Sequence, residues 1–321
     1  MTLPAWWTED ASAAVKIALA AAALALVGWD LARRRPGARA AAIPSDRWRA
    51  TSTVAVGLLG FLAYFNFGAF HFDGVTLHLW DGLHHYLGAK YVDELRYDGL
   101  YECIALTDAE DPGLASIASS RVLTDLRTNR ATTASDVIAH PERCRARFTA
   151  ERWSDFRADV AFFRDRFPDA DWQRLTTDHG FNASPVWVLL AHPLVGAAPV
   201  SMTRLQVLAA MDPLLMLAAV AALVWAFGWQ RAALVALVWG TYFPGRLWWT
   251  GGSLLRWDWL AALLAGLSLL RRDRPVAAGV LLGYASLSRV FPAFALVGAT
   301  LSLLVSALRR RPPDRAIVRL L

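Results

Sequence analysis

Apolar runs of about twenty residues constrain the fold of this chain more than any other feature. A bilayer core of about 30 Å is crossed by a helix of about 20 apolar residues. Runs near this length occupy residues 12–31, 52–70, 204–227, 230–248 and 254–270. With 56% hydrophobic residues and a mean hydropathy of +0.33, the composition is not that of an ordinary soluble domain. The sequence therefore predicts an all-α, multi-span integral membrane protein.

The apolar stretch 275–308 is too long for one membrane-spanning helix. It contains Pro292, which interrupts the hydrogen bonding of an α-helix. We therefore expect two shorter helices, 275–289 and 291–308, that fold back on each other. Residues 204–321 would then form a bundle of about five transmembrane helices that ends in a basic cytoplasmic segment.

Clusters of arginine predict the orientation of the chain, because short loops rich in Lys and Arg stay cytoplasmic. Such clusters occur at Arg33, Arg34, Arg35, Arg39, Arg47 and Arg49, at Arg271, Arg272 and Arg274, and at Arg309, Arg310 and Arg311. All three can be cytoplasmic if residues 1–70 form two transmembrane helices joined by a basic loop. Residues 71–203 then form an extracytoplasmic loop domain with interfacial helices, at the cell (inner) membrane. The isoelectric point of 9.7 follows from this topology, so we do not predict nucleic acid as a partner.

The large loop 71–203 is predicted to fold as a small helical domain. Trp153, Phe156, Val160 and Phe163 recur at helical spacing and lie near one face. The chain contains two cysteines, Cys103 and Cys144, and both fall in this loop. An oxidising compartment permits a disulfide between them, but spacing alone does not fix the geometry, so pairing stays open.

Residues 184–200 are apolar but carry Pro185, Pro193 and Pro199. A full span here would reverse the orientation of everything downstream. We therefore prefer an external, interfacial or re-entrant segment.

The final residues, "RRRPPDRAIVRLL", begin a further apolar segment, so we expect the sequence to be C-terminally incomplete.

Titratable residues are concentrated in "FHFDGVTLHLWDGLHHYLGAKYVDELRYDGLYEC", residues 70–103. A helix beginning near Asp81 places this carboxylate and His84 or His85 on one face. A carboxylate at the membrane boundary is suited to act as general base on a sugar hydroxyl. The alternative for Asp81 is a helix cap. His71, His78, His84 and His85 could instead bind a divalent metal, although no fixed metal-ligand spacing is present.

The segment "WDGLHHYLGAKYVDELRYDGLYE" resembles the first external loop of the GT-C class of integral-membrane glycosyltransferases. It is most similar to the polyprenyl-phosphate-mannose-dependent mannosyltransferases of glycosyltransferase family 87. The matching positions are Asp81, Tyr86, Ala89 and Gly99-Leu100-Tyr101. The resemblance implies a GT-C-like helix bundle with Asp81 as its catalytic base.

Two later segments extend the resemblance to about residues 52–308. "GFNASPVWVLLAHPL" is similar to the proline-bearing segment that closes the first external loop in many GT-C proteins, with Ser184-Pro185 at the position of the prolines. "RRDRPVAAGVLLGYASLSRVFPAF" is similar to a pattern of later GT-C helices.

Three arginines near predicted outer helix ends are candidates for holding a lipid phosphate. Arg246 and Arg256 flank Gly251-Gly252, and Arg289 falls at the expected turn between two short helices. The guanidinium group binds phosphate through a fork of donors. For Arg256, an ion pair with Asp258 or an outward-pointing side chain is the alternative.

The residues and the resemblance together predict a membrane hexosyltransferase. It would move mannose or a related hexose from a polyprenyl-phosphate donor to an extracytoplasmic glycan, lipid or protein acceptor. Asp81 would be the catalytic base, with Asp73 as the alternative carboxylate. Substrate binding would fall to His84, His85, Tyr86, Tyr101, Arg246, Arg256 and Arg289. No cofactor is required, and a divalent metal stays open. The alternatives are a polytopic transporter and a non-catalytic scaffold that binds a glycan or a partner protein.

Overall fold

The computed structural model describes residues 7–33, 46–71, 76–309, 312 and 315–321. It is mostly helical, at 74%. The chain divides into two compact units. We call Met1–His78 with Ala210–Leu321 the terminal unit, and Leu79–Ala209 the central unit. The central unit starts and ends a few residues later than the predicted loop domain, 71–203.

The elements follow one another along the chain. The terminal unit begins with α1 (Glu9–Arg33) and α2 (Asp46–Tyr64). The central unit contains α3 (Leu79–Lys90), α4 (Val92–Leu95), α5 (Leu100–Glu110), α6 (Ala115–Ala118), β1 (Val122–Asp125), β2 (Arg130–Thr133), α7 (Ala134–Ala139), α8 (Glu142–Arg145), α9 (Ala150–Arg164), α10 (Asp169–Leu175), α11 (Pro185–Val195) and α12 (Met202–Ala209). The terminal unit resumes with α13 (Met211–Phe227), α14 (Trp229–Thr241), α15 (Leu247–Thr250), α16 (Asp258–Arg271), α17 (Pro275–Ser288), α18 (Phe294–Leu308) and α19 (Arg315–Leu320).

Among the described residues, three stretches are long and apolar enough to cross a membrane, by length and composition. They are Glu9–Ala32, Met202–Phe227 and Phe291–Leu308. Two other predicted spans correspond to shorter helices, since α14 has 13 residues and α16 has 14. At 1.5 Å per residue these helices reach only about 20 Å, well short of a bilayer core. The complete multi-span bundle stays a prediction.

The predicted span 52–70 is wrong at its C-terminal end. Helix α2 begins at Asp46 and ends at Tyr64, and the backbone then turns, with positive φ at Asn66, Phe67 and Phe70. The buried Asn66 side chain stabilises this turn. Its amide donates to the Phe70 carbonyl at 2.5 Å, and its oxygen accepts from Ser12 Oγ at 2.8 Å. Hydrophobicity continues past Tyr64, so the apolar pattern alone concealed the end of the helix.

The predicted break within 275–308 is confirmed. Helix α17 ends at Ser288, a 3₁₀ turn occupies Phe291–Ala293, and α18 starts at Phe294. Pro292 lies in that turn, where its missing amide proton does no harm.

Small residues bring α2 and α14 together in the terminal unit. Gly57 and Gly60 of α2 face Ala233 and Leu237 of α14, and Gly240 lies against the Gly60 backbone. Close backbone approach at small residues is the usual packing mode of apolar helices in lipid. The adjoining core contains Tyr64, Met216, Ala219, Leu223, Ala232, Trp239, Leu247, Trp257, Ala261 and Leu264.

Helix α9 of the central unit forms where the sequence predicted a helix. Thr149 caps this helix by accepting from the Arg152 amide at 3.2 Å. Trp153, Phe156, Val160 and Phe163 are all buried, as their spacing predicted.

The disulfide that the sequence left open is present. Cys103 of α5 is bonded to Cys144 of α8, with Cα atoms 5.6 Å apart. This bond closes a loop that contains two short strands, β1 and β2, which pair as an antiparallel hairpin from Val122↔Thr133 to Asp125↔Arg130. The sequence interpretation did not predict the hairpin, because four-residue strands leave almost no alternation to detect.

Candidate functional site

Helix α3 carries four of the predicted site residues. Asp81 lies in its first turn, and its side chain is 17% exposed. The His85 Nδ1 atom lies 3.7 Å from Asp81 Oδ1 and donates to the Asp81 carbonyl at 2.9 Å. The Asp81 side chain is thus partly exposed, while its Oδ2 atom is buried. Asp73, the alternative carboxylate, lies outside the described residues.

His84 and Tyr101 form a buried hydrogen-bonded chain inside the central unit. His84 Nδ1 donates to the Trp80 carbonyl at 2.9 Å, which leaves Nε2 to accept from the Tyr101 hydroxyl at 2.8 Å. The Tyr101 oxygen in turn accepts from the Gly180 amide at 2.9 Å. Burial raises the pKa of Tyr101 well above its ordinary value, so the hydroxyl keeps its proton. These hydrogen bonds connect α3, α5 and the loop before α11.

His85 and Tyr86 are also buried and hold neighbouring segments in place. The His85 ring packs edge to face against Phe181 and Trp187, with centroids 6.0 and 5.2 Å away. The Tyr86 hydroxyl donates to the Ala198 carbonyl at 3.2 Å. Burial raises the pKa of Tyr86 to about 12, with a smaller contribution from Asp159. The predicted substrate-binding residues of α3 and α5 are therefore buried, whereas Asp81 is partly exposed.

Asp178 is a carboxylate beside this cluster that the sequence interpretation missed. Its Oδ2 accepts from the Trp80 indole at 3.0 Å, and its Oδ1 accepts from the His179 amide at 2.7 Å. Burial alone would raise the pKa of Asp178, but these hydrogen bonds outweigh it and lower the pKa below its ordinary value. Asp178 is therefore ionised at neutral pH and fixes the indole next to Asp81. No local spacing marks it, because Trp80 is 98 residues away.

A buried ion pair anchors the other end of α3. Lys90 Nζ donates to Asp159 Oδ2 at 2.5 Å and to the Ala198 carbonyl at 2.9 Å. Asp159 also accepts from the Tyr91 hydroxyl at 2.9 Å and from the Val200 amide at 3.0 Å. Because every charged atom finds a partner, the pair fixes the segment before α12 against α3.

A cavity of about 620 Å³ lies in the terminal unit. Arg256 and Arg289, two of the three arginines predicted to hold a lipid phosphate, both line it. The remaining walls are mainly apolar and include Trp239, Tyr242, Trp257, Trp259 and Phe291. The cavity thus combines two cationic side chains with aromatic surface.

Two buried carboxylates interact with residues that line this cavity. Asp258 is 7% exposed and accepts a hydrogen bond from the Tyr284 hydroxyl, while Arg256 and Arg289 both attract it electrostatically. Asp212 is 2% exposed, and its Oδ1 accepts from the Trp257 amide at 3.1 Å. Among the described residues its Oδ2 has no hydrogen-bond partner. Acidic residues inside apolar helices are a signal for a functional role, and Asp212 lies in the first turn of α13.

Arg246, the third predicted phosphate ligand, is not among the residues that line this cavity. Its guanidinium group lies over the rings of Phe243 and Trp248, 4.0 and 3.9 Å from their centroids. This stacking is a cation–π contact that holds the turn before α15. Of the three candidate phosphate ligands, Arg256 and Arg289 therefore line the cavity and Arg246 does not.

In the part of the chain that the structure describes, no group of three His, Cys, Asp or Glu residues is placed so that it could hold a metal ion. The described histidines therefore form no such group. The rings of His71 and His78 lie 5.3 Å apart in the terminal unit. His84 and His85 lie in the central unit and are hydrogen-bonded to the backbone of α3.

Comparison with known proteins gave no match: no protein family, no curated protein and no solved structure is similar to this chain. The class that the structure itself supports is a mostly helical protein that has, in the ranges described above, three helices long and apolar enough to cross a membrane.

Proposed function

We propose that this protein is a membrane glycosyltransferase that moves mannose or a related hexose from a polyprenyl phosphate to an acceptor hydroxyl. The observation that carries the proposal is the cavity with Arg256 and Arg289 in aromatic walls. A polyprenyl phosphate has an apolar chain and a compact anion. Aromatic walls complement the chain and the sugar faces, and guanidinium groups complement the phosphate.

The carboxylates that interact with the cavity-lining residues support this assignment. Asp258 attracts both arginines, which restrains their side chains at the cavity wall. A restrained guanidinium group loses less conformational entropy when an anion binds. Tyr284 in turn holds Asp258 through a hydrogen bond. We therefore assign Arg256 and Arg289 to phosphate binding, and Asp258 and Tyr284 to positioning them.

The proposed reaction needs a base for the acceptor, and the family resemblance implies Asp81. The acceptor oxygen attacks the anomeric carbon as Asp81 removes its proton. The bond from that carbon to the phosphate oxygen breaks, and the lipid phosphate leaves with the electron pair. His84, His85, Tyr86 and Tyr101 would act by holding α3 and the loops around Asp81.

Phosphate binding is tested separately from catalysis, because the arginines and Asp81 belong to different units. Wild-type protein, Arg256→Gln and Arg289→Gln would be reconstituted in nanodiscs and titrated with radiolabelled polyprenyl phosphate. A charged hydrogen bond contributes roughly 1.5–3 kcal/mol, so each variant should bind about tenfold or more weakly. Arg271→Gln, an exposed arginine of α16, is the matched control. Equal affinity in all four proteins would refute the cavity as the phosphate site.

Catalysis is tested by transfer of radiolabelled mannose from polyprenyl-phosphate-mannose to membrane acceptors. Asp81→Asn should abolish transfer while retaining lipid binding. Asp93→Asn removes an exposed carboxylate close by in sequence and should transfer at the wild-type rate. Full turnover by Asp81→Asn would remove this residue from the mechanism. Absence of transfer by the wild-type protein would count against mannose as the sugar, whatever the lipid affinity.

A further inference from the structure

Helix α11 has an outer face made almost entirely of exposed apolar side chains. Leu189, Leu190 and Leu194 are 74%, 46% and 41% exposed. No Asp, Glu, Lys or Arg occurs between Asp178 and Arg204. A solvent-exposed helix of a folded domain normally carries charged residues on its outer face. An exposed apolar face without charged residues indicates a surface that is covered by lipid or by another apolar surface.

The inner face of α11 is fixed to the central unit, so the outer face cannot simply rotate inward. Trp187, Val188, Ala191 and Val195 are buried, and α11 packs against α3. Its histidine, His192, donates through Nδ1 to the Ala89 carbonyl at 2.7 Å. Ser184 caps the helix by accepting from the Trp187 amide at 3.2 Å. The orientation of α11 within this unit is therefore determined by packing and by two directed hydrogen bonds.

The end of α11 lies beside the start of an apolar stretch that is long enough to cross a membrane. The Arg204 guanidinium group of α12 donates to the Val195 carbonyl, the last residue of α11. Arg204 belongs to the first turns of the candidate span Met202–Phe227. Arginine near the end of a span places its charge at the membrane surface. If the span enters the bilayer here, the C-terminal end of α11 lies at that same surface.

We propose that α11 is an interfacial anchor whose face of Leu189, Leu190 and Leu194 inserts into the headgroup boundary of a lipid bilayer. With 11 residues, α11 is about 16 Å long and cannot cross a core of about 30 Å. An amphipathic helix lying in the interface buries its apolar face about 5–10 Å deep. This inference does not depend on glycosyl transfer, since it concerns only how the central unit contacts lipid.

Both native cysteines are joined in a disulfide, so an introduced cysteine can be labelled alone. Leu189→Cys and Leu194→Cys would each carry a bimane fluorophore in vesicles of phosphatidylcholine brominated at shallow or deep acyl positions. Leu214→Cys, on an exposed face of the candidate span, is the lipid-facing control. Ser135→Cys, next to the exposed pair of Asp136 and Arg143, is the aqueous control.

We expect shallow bromines to quench the probes at positions 189 and 194 as strongly as they quench the probe at position 214, with no quenching at position 135. Stronger quenching by deep bromines at positions 189 and 194 would overturn the proposal in favour of a re-entrant segment. Quenching no greater than at position 135 would also overturn it, because the face would then meet water or protein. Two substituted positions, both exposed, protect the test against misfolding of one variant.

Discussion

Replacing Gly57 with alanine tests how closely α2 and α14 pack. A Cβ atom at Gly57 would lie 2.5 Å from the Ala233 carbonyl oxygen and 2.7 Å from Ala233 Cα. Carbon atoms in favourable contact are about 3.5–4.0 Å apart, so the two helices would have to separate by roughly 1 Å. The obstructing atoms are backbone atoms and a Cβ, which no change of rotamer can remove. The substitution should therefore force the helices apart.

The magnitude follows from a matched pair of substitutions. Overpacking a tight contact costs about 1–3 kcal/mol, whereas alanine gains about 1 kcal/mol over glycine inside a helix. A Cβ at Gly283, inside α17, would meet nothing within 4 Å. The Gly283→Ala variant therefore reports only the gain in free energy from the higher helix propensity of alanine. Because both variants share that gain, Gly57→Ala should be less stable than Gly283→Ala by about 1–3 kcal/mol.

The assay is reversible unfolding in lipid bicelles by increasing fractions of dodecyl sulfate, followed by tryptophan fluorescence. We expect Gly57→Ala to unfold at a lower detergent fraction than wild type, and Gly283→Ala at an equal or higher one. Equal free energies of unfolding for the two variants would refute the close packing of α2 against α14.

Three further predictions concern the central unit. Lys90→Met leaves the Asp159 carboxylate buried without its cation, and should lower the free energy of unfolding by about 3–5 kcal/mol; a wild-type unfolding curve in urea would contradict this. Removal of the disulfide by Cys103→Ser with Cys144→Ser frees a loop with a sequence separation of 41 residues. It should cost about 4 kcal/mol in the same assay, and chemical reduction of the wild type should reproduce the loss. Burial alone would raise the pKa of Asp98, but hydrogen bonds from Arg147 and Arg127 lower it below the ordinary value of 3.8. Its contribution to stability is complete above pH 3.8 and is lost as the pH falls through the lower folded pKa, so Asp98→Asn should flatten this acid loss. An unchanged acid limb in Asp98→Asn would contradict that assignment.

Part of the candidate site could be predicted from local sequence, and part could not. Arg256 and Arg289 were selected because a guanidinium group near an outer helix end can bind a lipid phosphate, and both line the cavity. Arg246 carried the same signal, but its guanidinium group stacks on neighbouring aromatic rings. Whether Arg246 lines the cavity depends on the backbone path of the turn at Phe243–Gly245. Charge and hydropathy do not encode that path.

The histidine cluster shows a second limit. Spacing correctly placed Asp81, His84 and His85 on one helix, since helical periodicity is local. It could not tell that His84 is buried against Tyr101, or that Asp178 holds the Trp80 indole. These contacts join residues 17 and 98 positions apart, and long-range contacts form only when the whole unit packs.

By itself the sequence determined the mostly helical character, the three long apolar stretches, the break at Pro292 and the buried face of α9. Each follows from hydropathy, periodicity or the chemistry of proline within one short segment. Tertiary structure alone decided where α2 ends, which residues line the cavity, that Cys103 meets Cys144, and that α3 is held by the Lys90–Asp159 pair. The physical reason is that a buried charge, a turn of positive φ or a cavity is stable only when distant segments supply the packing and hydrogen bonds that offset its cost.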